Sequence, residues 1–236
     1  MSIRPAVPIE DAEDTKAQLK RAAQALFARH GIDAVTVQQI VAAAGQRNNA
    51  ALHYHFGTKE ELIRQLLIDG AEQIDNRRQE MLAAMDKAGG PSSVREVLDI
   101  LVTPVIELEA DKRRRGYIRL VASIQMTDRE LLRSALAERW NAGYVRCLAL
   151  LKDLVKSVPP KLLEQRLSLF GIYSNAVLSA RDAALEVSKS SERLWGQPYS
   201  LVNMMDTLEA IITCPPSKDT LAKFRRSQKP KEASRT

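Results

Sequence analysis

The chain is poor in the features that mark secreted, membrane-spanning and metal-binding proteins. Its 236 residues include only two cysteines, Cys147 and Cys214, in unrelated contexts, which provide neither a disulfide framework nor the spacing of a metal site. No apolar run approaches the roughly 20 residues that span a bilayer, and the N-terminus lacks the basic-then-apolar order of a signal peptide. We therefore expect a cytoplasmic protein without a metal or a cofactor.

Motifs of enzyme chemistry are missing too. The sequence has no glycine-rich phosphate loop, no metal-ligand spacing and no serine or cysteine beside a base motif, so we expect no enzymatic activity, and a small all-α enzyme is the least favoured alternative. His53 and His55 lie two positions apart, which on a helix turns them to different faces. Because no cysteine or carboxylate cluster joins them, we expect His55 to be a packed structural residue rather than a metal ligand.

Strand alternation is also absent, and helical spacing of apolar residues dominates. The pattern predicts an all-α fold in which Pro104 kinks the helix that contains it. Thr36 with Gln39, and Thr58 with Glu61, have the spacing of capping boxes that begin two helices. The predicted helices cover about 15–29, the stretch between Thr36 and Gly45, 47–53, 58–87, 92–109, 113–126, 128–156, 160–188 and 198–213.

Residues 36–62 have the order of parts of a helix-turn-helix. A short amphipathic helix runs into a turn at Gly45, a second short helix with a polar surface follows, and a third begins at Thr58 beside Lys59. This order places one helix in a DNA major groove and clamps the phosphates on either side. Between residues 15 and 59 six lysines and arginines stand against one acid, Asp33, so that stretch carries +5, which favours an anionic partner.

The side chains of the second short helix are those that read base edges. Arginine pairs bidentately with guanine and asparagine with adenine, and alanine contacts a thymine methyl or permits close approach. The predicted base-reading residues are Gln46, Arg47, Asn48, Asn49 and Ala50, with Ala51 beside them, while Leu52 and Phe56 are predicted to face the core.

Phosphate contacts are predicted on both sides of that helix. Thr36 offers a hydroxyl at a helix N-terminus, where the helix dipole favours an anion; a role as cap alone is the alternative, and both roles are compatible. His53 and Tyr54 carry imidazole and phenol donors that reach phosphates. Lys59 adds a charge in the first turn of the next helix.

Taken together, residues 15–67 resemble the TetR family of bacterial regulators. The resemblance rests on Phe27-Ala28-Arg29-His30-Gly31, Thr36-Val37-Gln38-Gln39-Ile40, Ala43-Ala44-Gly45, Tyr54-His55-Phe56 and Lys59-Glu60-Glu61-Leu62. By position, Thr36, His53, Tyr54 and Lys59 match phosphate-contacting sites, and Arg47–Ala51 matches the base-reading helix. Two departures are visible: His53 stands where the family usually has tyrosine, and the stretch from Gly45 to Phe56 is one residue longer than the common pattern.

The resemblance implies an all-α subunit with an N-terminal three-helix DNA-binding domain and a larger C-terminal regulatory domain. It also implies a homodimer that releases DNA when a small molecule binds. The division expected here is a flexible N-terminal arm over 1–14, a helix-turn-helix DNA-binding domain over 15–62, a helical regulatory and dimerisation domain over 63–215, and a basic, disordered tail over 216–236.

Dimerisation should use the last two long helices, by the same resemblance. Two apolar stripes are the candidates: Leu163, Leu167, Phe170, Ser174 and Val177 on one helix, and Leu201, Met205, Leu208 and Ile212 on the other. The alternative is that these stripes pack within their own subunit. A two-fold dimer would read a palindromic double-stranded operator whose half-sites lie about one turn, roughly 34–36 Å, apart.

A ligand pocket is expected among the middle helices. The large side chains of this half are Tyr117, Met126, Trp140, Tyr144, Phe170 and Tyr173. Core packing is the ordinary role of each one singly, but together they indicate an apolar or aromatic effector. The main alternative is a DNA-binding regulator whose C-terminal half only dimerises or recruits proteins. An enclosed pocket in the fold would favour the ligand-responsive function.

Overall fold

A computed structural model of the chain describes residues 9–111, 114–136, 141–187 and 194–228, and within these ranges all regular secondary structure is α-helix, joined by turns and short loops. The predicted all-α fold is confirmed. The helices are α1 (Ile9–His30), α2 (Val37–Ala43), α3 (Ala50–Phe56), α4 (Lys59–Lys87), α5 (Val94–Ala110), α6 (Tyr117–Thr127), α7 (Arg129–Leu136), α8 (Ala142–Leu154), α9 (Pro160–Val187), α10 (Ser200–Thr213) and α11 (Lys218–Ser227).

The first three helices and the start of α4 surround a small apolar core. Leu19 and Phe27 of α1, Ile40 of α2, Leu52 of α3 and Leu62 of α4 are all buried, and α1 packs against each of the other three helices. Residues at these spacings put one apolar side chain per turn on the same helix face. The short helices α2 and α3 are therefore held by packing, since helices of seven residues are marginal alone.

Side-chain caps set where α2 and α4 begin, as the sequence predicts. Thr36 Oγ1 accepts a hydrogen bond from the Gln39 amide at 3.2 Å, and Gln39 Oε1 accepts from the Thr36 amide at 2.8 Å. Thr58 Oγ1 accepts from the Glu61 amide at 3.1 Å. Each cap satisfies backbone donors that the first turn of a helix leaves unpaired.

Most of the remaining chain packs around α4 and α9. Helix α4 contacts α5, α6, α7 and α8, while α9 contacts α5, α6, α8 and α10. Pro104 lies inside α5, as predicted, and it has no amide hydrogen to donate to the Ile100 carbonyl one turn earlier. None of the described helices is long and apolar enough to cross a membrane.

The start of α6 lies against α1 and joins the two parts of the fold. Gly116 precedes α6 with φ +88°, and a Cβ added there would lie 2.6 Å from the Ala28 Cβ. Gln24 Nε2 donates to the carbonyls of Arg114 and Arg115 at 2.5 and 3.1 Å. Only glycine combines a left-handed backbone with so close an approach to Ala28. Gly116 is therefore required for the contact between α1 and α6.

Several helix boundaries differ from the predictions. Helix α1 begins at Ile9, so residues 9–14 are helical where a flexible arm was expected, and α6 begins at Tyr117 rather than near 113. The helix predicted over 128–156 is two helices, α7 and α8, and α11 occupies a tail that was predicted to be disordered. Ser217 caps α11 by accepting from the Thr220 amide at 3.1 Å, which starts a helix despite the scarcity of apolar residues.

Candidate DNA-binding surface and ligand cavity

The turn between α2 and α3 presents an exposed polar segment. Gly45 adopts φ +71°, a conformation that favours glycine, and the Gln46 amide donates to the Val41 carbonyl at 2.9 Å. Helix α3 starts at Ala50, three residues later than predicted. Arg47, Asn48 and Asn49 are therefore not on the recognition helix itself, but they are exposed directly ahead of its N-terminus.

The late start of α3 follows from the asparagines. Asn48 Oδ1 accepts from the Ala50 amide at 2.9 Å, so a side chain takes the place of a backbone acceptor, a competition with helix formation typical of asparagine. Because Asn48 has turned its acceptor inward, it is poorly placed for a bidentate contact with adenine. Asn49 makes no side-chain cap bond, and Arg47 makes no hydrogen bond or ion pair with a described residue.

Two other predicted base-reading positions differ in how freely they can reach DNA. Gln46 is half-buried, and its Nε2 donates to Gln18 Oε1 of α1 at 3.3 Å, so it turns toward the protein. Ala50 is exposed in the first turn of α3 and Ala51 is half-buried. The residues at the N-terminal end of α3 that remain exposed and free to reach DNA are thus Arg47, Asn49 and Ala50.

The phosphate candidates flank this end, with different degrees of freedom. Tyr54 is 79% exposed, and Thr36 is exposed while also serving as the α2 cap. Lys59 Nζ donates to the Ile32 carbonyl at 2.6 Å and lies 5.7 Å from the Phe27 ring centroid. The Lys59 ammonium therefore already contacts protein groups at the end of α1. Of Thr36, Tyr54 and Lys59, Tyr54 is the most available to donate to a phosphate.

His53 and His55 have distinct surroundings. His53 is exposed, with Nδ1 2.7 Å from the Gly57 carbonyl. A carbonyl only accepts, so Nδ1 carries the proton, and Nε2 becomes a donor toward phosphate only when the ring is charged. His55 is half-buried and meets Tyr54 edge-on with the ring centroids 5.0 Å apart. Burial, together with the charge of Lys16, lowers the pKa of His55, which suits a neutral packing residue.

Residues 19–66, which include α2, α3 and the turn between them, match the family model described as "Bacterial regulatory proteins, tetR family". This segment of the chain is therefore similar to the DNA-binding region of the TetR family. The predicted resemblance is confirmed, and the N-terminal unit is a TetR-type helix-turn-helix of a DNA-binding transcription regulator. No curated protein matches the sequence.

Solved structures share the fold at low sequence identity. FadR from Bacillus halodurans, a fatty acid degradation regulator, aligns with TM-score 0.51 and 19% identity over 89% of this chain and 97% of that one. NalD of Pseudomonas aeruginosa, the secondary repressor of the MexAB-OprM pump, gives 0.48 and 21% over 84% and 96%. PfmR from Thermus thermophilus, a TetR family transcriptional regulator, gives 0.49 and 16% over 84% and 99%. The similarity to FadR shows that the two chains share a fold, and it shows nothing about function.

The C-terminal helices surround a cavity of about 250 Å³ that is partly open to solvent and is lined by residues of α4, α5, α6, α7, α8 and α9. Of the predicted pocket residues, Tyr117, Tyr144 and Phe170 line it. Met126 is 76% exposed at the end of α6, and Tyr173 faces α10, where its hydroxyl lies 3.0 Å from Thr207 Oγ1. Trp140 lies outside the described residues.

The cavity has polar lining that sequence reasoning missed. The polar side chains besides tyrosine and serine are Arg78, Gln125, Asn141 and Asn175. Arg78 could have been found, because it occupies a position of the apolar α4 stripe that runs from Ala71 and Ile74 to Leu82. A charged residue at core spacing is unusual unless it is paired.

The residues predicted for dimerisation pack mostly inside their own subunit. Seven of the nine are buried: Leu163, Leu167, Phe170, Ser174, Met205, Leu208 and Ile212. They face α6, α5 and the α9–α10 contact, which is the alternative that the sequence left open. Val177 and Leu201 are half-buried. The large exposed apolar side chains on these two helices and on the described segment before α10 are instead Leu169, Ile172, Tyr173, Leu194, Tyr199 and Val202.

Proposed function

We propose that this chain is a repressor that binds a palindromic operator as a homodimer and leaves it when a small molecule occupies the cavity. The observation that carries the proposal is that the cavity wall and the DNA-binding unit share structural elements. Helix α4 supplies Leu62 to the core of the DNA-binding unit and Ala71, Ile74 and Arg78 to the cavity. A ligand that displaces the wall therefore acts on a helix that also positions α3.

Tyr117 provides a direct contact between the cavity and α4. Its ring lies so close to Gly70 that a Cβ added there would be 2.2 Å from Tyr117 Cε2, and its hydroxyl donates to the Leu67 carbonyl at 3.0 Å. Because the tyrosine is 3% exposed and lines the cavity, it has little freedom to move alone. Ligand binding that shifts Tyr117 should shift α4 with it.

Charged groups connect α1, α6 and α9 beside this contact. Arg119 Nε of α6 lies 2.7 Å from Asp182 Oδ2 of α9, and Arg119 Nη1 donates to the Ala28 carbonyl of α1 at 3.3 Å. Glu186 of α9 accepts from Arg119 and from Arg29, the latter at 2.6 Å. Arg29 and Arg119 hold the pKa of the Glu186 carboxyl below its usual value. The network ties the DNA-binding unit to the helix proposed for dimerisation.

For the dimer, we propose the exposed face formed by Leu169, Ile172, Tyr173, Tyr199 and Val202 of α9 and the start of α10. TetR regulators act as dimers, and exposed apolar side chains on two helices that pack against each other support an interaction site. In such a dimer two recognition ends would sit about one DNA turn apart. An effector then needs only to favour the conformation whose recognition ends are wrongly spaced, through a higher affinity for it.

Fluorescence anisotropy tests the DNA-binding part of the proposal. The full chain is titrated onto DNA from immediately upstream of its own gene and onto a scrambled duplex, at two salt concentrations. Tight binding to the first duplex alone, weakening as salt rises, is the expected result. Equal binding to both duplexes would call for selection from random sequences, and no selected sequence would contradict the repressor function.

The same assay separates a ligand-responsive repressor from a regulator that only dimerises or recruits proteins. Small molecules are screened for release of the protein from the selected operator. The partly open cavity among the C-terminal helices supports the ligand-responsive form. A compound that binds the protein stoichiometrically yet leaves operator affinity unchanged at saturation would contradict it, because release requires different affinities for the two conformations.

A further inference from the structure

We propose that the cavity takes a small organic carboxylate with an apolar body, whose anionic group binds Arg78. The inference rests on the proposed function and names the chemical class of the effector. It comes from the charge balance of the cavity rather than from the large aromatic side chains that the sequence singled out.

Arg78 brings an incompletely bonded guanidinium to the cavity wall. Its Nη2 donates to the Leu101 carbonyl at 2.8 Å, while its enclosed Nε has no hydrogen-bond partner among the described residues. Arginine stays protonated in proteins. A charge that is buried without a partner is costly, so a guanidinium in this position calls for an anion.

No acidic residue of the described chain forms an ion pair with Arg78. The lining contains neither aspartate nor glutamate, and the described residues hold no carboxylate within ion-pair distance of Arg78. The buried Asp75, three residues earlier on α4, acts on Arg78 electrostatically without forming an ion pair with it, and its Oδ1 accepts from the Gly143 amide at 2.8 Å. The Tyr144 ring centroid lies 5.7 Å from Arg78 Cζ, a weak partner compared with a carboxylate.

A purely structural role explains only one nitrogen of Arg78. The bond from Nη2 joins α4 to the Leu101 carbonyl of α5. No hydrogen bond from Nη1 reaches a described residue, and a charged N–H there can donate to a carboxylate oxygen.

The other polar groups of the cavity are largely satisfied within the protein. Asn175 Nδ2 donates to Gln125 Oε1 at 3.0 Å, the Tyr117 hydroxyl donates to Leu67, and Ser174 Oγ donates to the Gly171 carbonyl at 3.2 Å. Most of the remaining wall is aliphatic: Ile74, Leu101, Val102, Val105, Ile118 and Val121. One anionic end and an apolar body therefore complement the cavity.

The size of the cavity limits the ligand. Pockets for drug-sized molecules measure roughly 300–1,000 Å³, and this one is about 250 Å³. A medium-chain fatty acid or a single-ring aryl alkanoate is of suitable size. Octanoate and 3-phenylpropionate are therefore the probes, and octanamide and 3-phenylpropanamide are their neutral matches of nearly identical shape.

Calorimetric titration of the full chain with the four probes tests the proposal. Each carboxylate should bind about 10-fold or more tightly than its amide, because hydrogen bonds to a charged group are the stronger ones. Arg78→Gln should remove that preference. Arg146→Gln is the matched control, since Arg146 is paired with Asp86 at 2.7 Å away from the cavity and should leave the preference unchanged. If Arg78→Gln fails to fold, Arg78→Lys should bind the carboxylates more weakly than wild type while keeping a preference for them.

The outcomes distinguish this proposal from the proposed function. Equal affinities for acid and amide, a preference that survives Arg78→Gln, or no binding of either carboxylate at about 1 mM would each overturn the carboxylate site. A neutral compound that binds and releases the operator would also overturn it, while leaving the ligand-responsive repressor intact. A carboxylate that binds with the expected preference but leaves operator affinity unchanged would contradict the repressor mechanism and leave the site standing.

Discussion

Among the single residues of the DNA-binding surface, Arg47 and Lys59 carry the same charge in different situations. Lys59 is half-buried, and its ammonium donates to the Ile32 carbonyl, so part of its contribution is to the fold. Arg47 is exposed ahead of α3 with no partner among the described residues. A charged side chain with unused donors at the N-terminal end of a recognition helix is suited to base edges in the major groove.

Arg47→Ala should therefore weaken specific binding by about 1–3 kcal/mol and relax the sequence preference at one position of each half-site. Binding to random DNA should change much less. The measurement is anisotropy on operator and scrambled duplexes for the two proteins at one salt concentration.

Arg146→Ala is the control for loss of a positive charge, because Arg146 lies on α8 in an ion pair with Asp86. It should leave both affinities unchanged. Equal losses on the two duplexes for Arg47→Ala would mean that Arg47 contacts phosphate rather than a base.

At the scale of helices, the sequence predicted elements well where side-chain signals are local. Thr36 and Thr58 predicted the starts of α2 and α4 correctly, because a capping residue and its partner lie three residues apart in the sequence. The start of α3 was misplaced because Asn48 folds onto the Ala50 amide, a bond that periodicity does not reveal. Which polar side chains meet in the cavity, such as Gln125 of α6 and Asn175 of α9, depends on which helices pack together, and spacing along one helix does not specify that.

The apolar stripes of α9 and α10 show that sequence spacing also cannot identify which surface forms a dimer interface. Leu167 and Leu208 repeat at helical spacing, and the pattern indicates correctly that they are buried. It does not say whether the covering helix belongs to the same chain. The answer came from tertiary packing, in which α6 and α5 cover these stripes and leave Leu169 and Val202 outside.

The contact between α4 and α6 yields a prediction from two glycines. In Gly70→Ala the new methyl would lie 2.2 Å from the buried Tyr117 ring, so the chain should lose about 1–3 kcal/mol of unfolding free energy through overpacking. In Gly171→Ala the methyl would meet only the Tyr144 hydroxyl at 3.4 Å, and removing a helical glycine should be neutral or stabilise by up to about 1 kcal/mol. Chemical denaturation of both variants measures the difference.

A Gly70→Ala protein as stable as wild type would show that Tyr117 yields without moving α4, which would remove the proposed path from the cavity to the DNA-binding unit. If the path exists, the destabilised variant should also bind operator differently before any effector is added. Gly171→Ala should bind operator as wild type does, since its added methyl meets the Tyr144 hydroxyl and neither Tyr117 nor α4.

At the scale of the whole molecule, the exposed apolar face of α9 and α10 predicts the oligomeric state. Val202 is 59% exposed on this face, and a buried, unpaired carboxylate at an interface is strongly unfavourable. Val202→Glu should shift the protein from dimer to monomer in sedimentation velocity runs and weaken operator binding. Val145→Glu is the control, because Val145 is similarly exposed, at 56%, on α8.

A monomeric wild type would contradict the proposed dimer, and a Val202→Glu dimer as stable as wild type would place the dimer interface elsewhere. Loss of the dimer in Val145→Glu would point to α8 instead. The operator assay adds a second readout, since a single recognition end contacts few bases and two-fold operators are read by pairs.

Unfolding stability as a function of pH is governed in part by Glu109, which lies where α5, α6 and α9 meet. Its Oε1 accepts from the Ile118 amide at 2.7 Å and its Oε2 from the Gly116 amide at 2.9 Å. Burial, together with the nearby Asp182, raises the pKa of the Glu109 carboxyl to about 7. In the unfolded chain the ordinary value is 4.5, so between these values the folded protein holds a proton that the unfolded chain has lost.

The extra proton on the folded state sets how the free energy of unfolding changes with pH. The contribution of Glu109 to this free energy is fully present below about pH 4.5 and falls as the pH rises toward about 7, where the folded carboxyl also ionises. The decrease is at most about 1.4 kcal/mol per pH unit. His55 acts in the opposite direction, because its lowered pKa makes the folded state bind fewer protons than the unfolded chain. Urea unfolding at pH 5, 6, 7 and 8 should thus show a net decline that levels off near neutrality.

Glu109→Gln isolates the contribution. Glutamine retains one acceptor oxygen and carries no titrating group, so the decline between pH 5 and 7 should disappear and the small rise due to His55 should emerge. The variant should also be less stable at low pH by about 1–3 kcal/mol, because one of the Gly116 and Ile118 amides loses its acceptor. A decline that persists unchanged in Glu109→Gln would assign it to another group. A decline that vanishes would identify the junction of α5, α6 and α9, which also holds Arg119 against α1, as a point where proton binding acts on the fold that positions the DNA-binding unit.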